Sequence, residues 1–125
     1  MSRPAVFAAA VICAGSAFAE TRYFTQIEDL PIAPGLEEID QRLEFSDPDI
    51  RLVSASAQGR AEAEHVRSYY QSALPALGWA LSIGSGGENE TVYLRGREQL
   101  SLSFHQRGEH LWLQALLFSR SPPHD

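Results

Sequence analysis

The sequence predicts an α+β fold: a single antiparallel sheet of about five to six strands, with one main helix (about residues 60–76) packed on one face, in the order ββαββββ. Three observations carry that expectation. Five short runs alternate apolar and polar residues with the period of two of a half-buried strand. One stretch, "RAEAEHVRSYYQSALPALGW", instead repeats its apolar residues with helical spacing. Between the runs lie turn-forming clusters: "DPD" at 47–49, "RGRE" at 95–98 and "RGE" at 107–109.

The elements follow in order. Residues 20–40 read as an extended N-terminal arm, because Pro31, Pro34 and Gly35 exclude a helix or a central strand. Leu30, Ile32 and Leu36 are its expected anchors, and Pro34-Gly35 is a tight turn. The domain proper spans residues 41–119. "QRLEFS" places Leu43 and Phe45 on one side, and "IRLVSASA" answers with Ile50 and Leu52 to complete a hairpin. In the helix, Ala63, Val66, Tyr69, Tyr70, Ala73, Leu74 and Leu77 share one face. Gly59 is its expected N-cap, with Glu62 favourable to the N-terminal dipole. Pro75 and Gly78 stop it, Gly78 as a left-handed terminator.

Four strands are expected after the helix. "WALSI" alternates Trp79, Leu81 and Ile83, and "GSGGENE" is a flexible loop. "TVYLRG" and "QLSLSFHQ" follow, the latter with Leu100, Leu102 and Phe104 opposite Ser101, Ser103 and His105. "HLWLQALLFS" is apolar on both sides: Leu111, Leu113, Ala115 and Leu117 on one, Trp112, Leu116 and Phe118 on the other. Such a strand is central and covered on both faces, or it supplies a surface for a partner. Residues 120–125 read as a disordered tail.

The first nineteen residues, "MSRPAVFAAAVICAGSAFA", have the layout of a signal peptide: Arg3, an apolar run from Ala5 to Ala14, then Ala17-Phe18-Ala19. Cleavage after Ala19 leads to the periplasm or the exterior. Ile12 before Cys13 argues against a lipoprotein, which needs a small residue there. Removing nineteen of the 125 residues leaves 106, without the only cysteine. Nine basic residues, all arginine, then face sixteen acidic ones, a net charge of −7. A disulfide, a thiolate nucleophile, a Schiff-base lysine and a basic stripe for nucleic acid are thereby excluded. No integral membrane segment is expected in the processed chain.

Catalytic signatures are sparse. His65, His105, His110 and His124 form no HExxH or HxH pattern, and no cofactor is expected. Glu62 and His65 stand at i, i+3, and His105 and His110 flank one hairpin, where a metal could bind adventitiously. "GSGG" lacks the lysine and helix of a phosphate loop. The acidic stretch Glu37, Glu38 and Asp40 has no calcium-loop spacing. Tyr69 and Tyr70 have no neighbouring base in sequence, so core packing is the expectation for both.

"LPIAPGLEE", "LEFS", "DIRLV", "VRSYYQSALPALGW" and "LSLSF" together resemble a group of small exported bacterial proteins, chiefly alphaproteobacterial, of uncharacterised function. Their pattern is a PxxPGL arm and an aromatic-Tyr-xxx-Leu-Pro-xx-Gly-Trp passage from helix to strand. Tyr69 stands where phenylalanine is usual. The resemblance covers most of residues 29–104, implies export and an α+β fold, and transfers no activity.

Two functions follow as expectations. One is a non-enzymatic, envelope-associated module that contacts a protein partner or a second copy of itself through Trp112, Leu116 and Phe118. The other is a small-ligand binder or enzyme with a pocket between helix and sheet, lined by Tyr69, Tyr70, Trp79 and Phe104.

Overall fold

A computed structural model describes residues 21–83, 87 and 89–121, with no side-chain detail for 41–43. The expected signal peptide and its cleavage site lie outside the described residues. So do residues 84–86 and 88 of the "GSGGENE" loop and residues 122–125 of the tail.

The fold is α+β, with one antiparallel sheet and one α-helix among the described residues. The strands are β1 (Leu36–Ser46), β2 (Ile50–Arg60), β3 (Ala80–Leu81), β4 (Glu90–Arg95), β5 (Glu98–Arg107) and β6 (His110–Arg120). Helix α1 (Ala63–Ala73) and a 3₁₀ turn (Pro75–Leu77) join β2 to β3. Across the sheet the order is β1-β2-β6-β5-β4-β3, so the last strand of the chain closes against the second. That puts the doubly apolar β6 near the centre, between β2 and β5.

Several boundaries differ from expectation, each for a physical reason. β1 starts at Leu36, inside the expected arm, which makes the sheet larger than expected. Glu37 and Glu38 look like a solvated charge run, yet they pair opposite Gln58 and Ala57 on an edge strand, where charge is tolerated. The Glu38 carboxylate accepts from the Thr25 N–H (3.0 Å) and hydroxyl (2.8 Å). The arm before β1 is not extended throughout. It doubles back through a Tyr23–Pro31 bridge and buries Phe24, Ile27 and Leu30. The Pro34-Gly35 turn forms as expected, closed by the Leu36 N–H on the Ala33 carbonyl (3.2 Å).

At the start of α1, Gly59 is not the cap. It belongs to β2 opposite Leu36, where a methyl group on it would strike the Gly35 carbonyl oxygen. Glu62 occupies the N-cap without a side-chain bond to the helix. Gln106 of β5 supplies the missing partner instead: its side-chain oxygen accepts from the Ala63 N–H (2.8 Å) and its amide donates to the Ala61 carbonyl (2.9 Å). The far end of the helix is local chemistry. Gly78 takes φ 94°, the left-handed conformation that terminates the 3₁₀ turn, and the Trp79 N–H returns to the Leu74 carbonyl (3.1 Å). The "WALSI" strand shortens to two residues, because β3 is an edge strand with a single partner and Ile83 is left 91% exposed.

One face of the sheet is covered. Leu100, Leu102, Phe104, Leu111, Leu113, Val53 and Ala57 point toward α1 and the arm and are all buried. Val66, Tyr70 and Leu74 meet them from the helix, and Phe24, Ile27, Leu30 and Leu36 from the arm side. No helix among the described residues is long and apolar enough to cross a membrane.

Candidate functional site

The opposite face of the sheet carries the alternate residues of each strand, and among the described residues no helix lies over it. The pairing register arranges these residues in transverse rows. Nearest the β1–β2 turn, Phe45, Leu52, Phe118, Gln99 and Leu94 lie side by side across five strands. One row further, Leu116 stands between Ser54 and Ser101, with Val92 beyond. The third row is Ile39, Ser56, Gln114, Ser103 and Glu90. In the fourth, Trp112 stands between Gln58 and His105.

These rows differ in height and polarity. The first is apolar and exposed at its flanks, with Phe45 53% and Leu94 44% accessible. The third is low, because its serines barely rise above the backbone. Trp112, His105 and Gln58 wall it on one side. The end of the β3–β4 loop walls it on another, strapped down by the Phe104 N–H on the Asn89 carbonyl (2.8 Å). The result is an open cleft of about 790 Å³ over the sheet.

Trp112 is held between two imidazoles. His110 meets it edge to face at 4.3 Å between centroids, and His105 tilts toward it at 6.0 Å. A Gln58 side-chain oxygen lies 3.1 Å from the His110 Nε2, which fixes both side chains. His105 and His110 therefore share a face but are diagonal, with Trp112 beside both. Among the described residues, no three His, Cys, Asp or Glu side chains are grouped as a metal site would require. Glu62 and His65 are both exposed, with the His65 Nε2 3.6 Å from the Glu62 carboxylate.

The residues expected to line a pocket between helix and sheet pack differently. Tyr70, Trp79 and Phe104 are core members, at most 4% accessible, and fill that space. The Tyr70 hydroxyl donates to the Pro31 carbonyl (2.7 Å) and accepts from the Ala33 N–H (3.1 Å), pinning the arm to the helix. Burial raises its pKa well above the usual phenol value, against the lowering effect of the Ala33 hydrogen bond. Tyr69 packs edge to face on Tyr70 at 5.1 Å and reaches a hollow of about 310 Å³ beside Pro34. Its pKa is raised by burial and then by Tyr23. Burial also raises Tyr93, offset in part by Arg67.

Sequence reasoning missed Arg95. Its guanidinium lies 4.1 Å from the Trp79 ring centre, bonds Asp29 (2.8 Å), Glu98 (2.9 Å) and the Leu77 carbonyl (3.0 Å), and so ties arm, helix end and sheet together. Burial lowers its pKa, but the hydrogen bonds and charges of Asp29 and Glu98 outweigh that and raise it. The low third row was missed as well. Its members are scattered along the chain from Ile39 to Gln114 and meet only through the register.

Fold and site together define a small α+β protein with a sheet covered on one face and grooved on the other. Compared with known family models, curated proteins and solved structures, the chain matches none.

Proposed function

We propose that this chain is an exported, non-enzymatic binding module whose working surface is the open face of the sheet. At the apolar end of that face the partner is a second copy of the chain. The observation that carries this reading is the row Phe45, Leu52, Phe118, Gln99 and Leu94, backed by Leu116. It is apolar and partly exposed and has no charge of its own, the Arg120 guanidinium bordering it 5.9 Å from the Phe118 ring centre. A neutral surface can face its own copy across a two-fold axis, whereas a charged one would repel it. The chain as a whole is strongly acidic, so an uncharged stretch is the part of it best suited to self-contact.

Light scattering across a concentration range tests this on the chain beginning at Glu20. A dimer is expected, converted to monomer by Phe118→Glu with an unchanged circular dichroism spectrum. A strict monomer whose solubility and folding ignore Phe118→Glu would remove the self-contact. Export rests on the leader sequence. N-terminal sequencing of the protein from a periplasmic fraction is expected to read from Glu20, and an intact Met1 would overturn it.

A second reading, a small-ligand binder, is favoured by the cleft beside Trp112 at the other end of the same face.

A further inference from the structure

We infer that the cleft over the third row binds a neutral oligosaccharide. This rests on the reading of the open face as a binding surface and deepens it by naming a ligand class. The row Ile39, Ser56, Gln114, Ser103 and Glu90 runs across five strands, a width of about 19 Å at the usual strand spacing. That is an extended trough, suited to several linked rings rather than one. Its floor offers two hydroxyls and a carboxamide, which both donate to and accept from sugar hydroxyls, and a carboxylate, which accepts from them. Trp112 stands at its edge, and the negative π-face of an indole attracts the C–H edge of a pyranose ring.

The lining also argues against other ligands. Among the described residues it contains one carboxylate, Glu90, and no arginine, which offers matching charge to neither a multivalent cation nor a phosphate. A lipid tail would bury Gln114 and the serines against hydrocarbon without partners. Glu90 at one end and Ile39 at the other give the trough a polarity, which fits a chain with two unlike ends. His110 and Gln58 hold each other behind Trp112, so the platform is in place before a ligand arrives.

The test titrates the chain beginning at Glu20 with chitotetraose, cellotetraose and maltotetraose, read by calorimetry and tryptophan fluorescence. The other tryptophan, Trp79, is buried under Arg95, so a fluorescence change reports Trp112. Saturable binding of at least one of the three is expected. Trp112→Ala should weaken it by about tenfold. Ser103→Val, which raises the floor and keeps the aromatic platform, should abolish it while the melting temperature stays unchanged. No binding of any of the three at millimolar concentration overturns the inference, and so does affinity unchanged from the parent chain in both variants. Light scattering on the same samples separates the two ideas. A Phe118→Glu-sensitive dimer with no glycan binding overturns the cleft alone. A monomer with Trp112-dependent binding overturns the self-contact alone.

Discussion

The two faces of this sheet are cut from the same strands, yet they do different work. On the covered face, β6 presents Leu111, Leu113, Ala115 and Leu117, none more than 6% accessible. On the open face the same strand presents Trp112, Gln114, Leu116 and Phe118, all partly or fully exposed. Alternation alone sets this division, since successive side chains leave a strand on opposite sides. The difference teaches where the stability resides. The covered face is closed by a helix and by an arm tied in at its backbone by Tyr70 and at the Asp29 carboxylate by Arg95. No helix among the described residues closes the open face.

The largest expected effect tests that division directly. Leu113→Ala should cost about 3 kcal/mol, because it leaves a cavity in a closed core. Leu116→Ala, three residues on, should cost about 1 kcal/mol, because Leu116 is already in contact with solvent. Urea unfolding of dilute samples measures both. Equal losses would mean that the open face is covered in the free protein, and would break the comparison.

Tyr70→Phe comes next. Removing the hydroxyl strands the Pro31 carbonyl and the Ala33 N–H in the interior, a loss of about 2 kcal/mol. The same residue sets an alkaline limit. A raised folded pKa means that the native state holds the phenol proton more tightly than the unfolded chain does. Its stabilisation is therefore complete below the unfolded tyrosine value, about 10, and is lost as pH climbs from there toward the folded pKa. Melting temperatures between pH 9 and 11 (about one unit either side of that value) should fall for the parent chain and fall less for Tyr70→Phe.

What was legible in the sequence divides along a related line. The helix stop was legible because Pro75 and Gly78 act on their own backbone. The two-sided character of β6 was legible because alternation is local. The start of α1 was not, since its cap is Gln106, 43 residues away, and no pattern around Gly59 announces it. β1 was read too short because Glu37 and Glu38 carry the composition of a loop while sitting in an edge ladder. Trp112, Leu116 and Phe118 could be placed together on one side of a strand. The trough between them depended on the serines of β2 and β5 falling into register with Gln114, which a single sequence does not display.

Arg95→Met probes the clamp at the edge of the covered face. Methionine keeps an apolar stem over Trp79 and removes the bonds to Asp29, Glu98 and the Leu77 carbonyl. Three-quarters of the Arg95 side chain is shielded, but Asp29 is half exposed, so the expected loss is about 1 kcal/mol. Limited proteolysis should then cut sooner within residues 22–32, where the arm is held. Unchanged cleavage would show that Tyr70 alone fastens it.

The smallest effect is expected at Tyr93, and it sharpens the contrast most. Tyr93 and Tyr70 are both buried on the covered face, and burial raises the pKa of both. Their hydroxyls differ. That of Tyr70 makes two hydrogen bonds, whereas that of Tyr93 has no hydrogen-bond partner among the described residues. A buried hydroxyl without a partner costs desolvation and returns nothing, so deleting it strands no other group. Tyr93→Phe should change stability by about 0.5 kcal/mol or less, in the stabilising direction, against the loss of about 2 kcal/mol at Tyr70→Phe. The two substitutions remove the same atom from the same kind of residue in the same core. A loss at Tyr93→Phe as large as that at Tyr70→Phe would mean that the Tyr93 hydroxyl has a bound water or a partner in solution, and that this part of the covered face is wet.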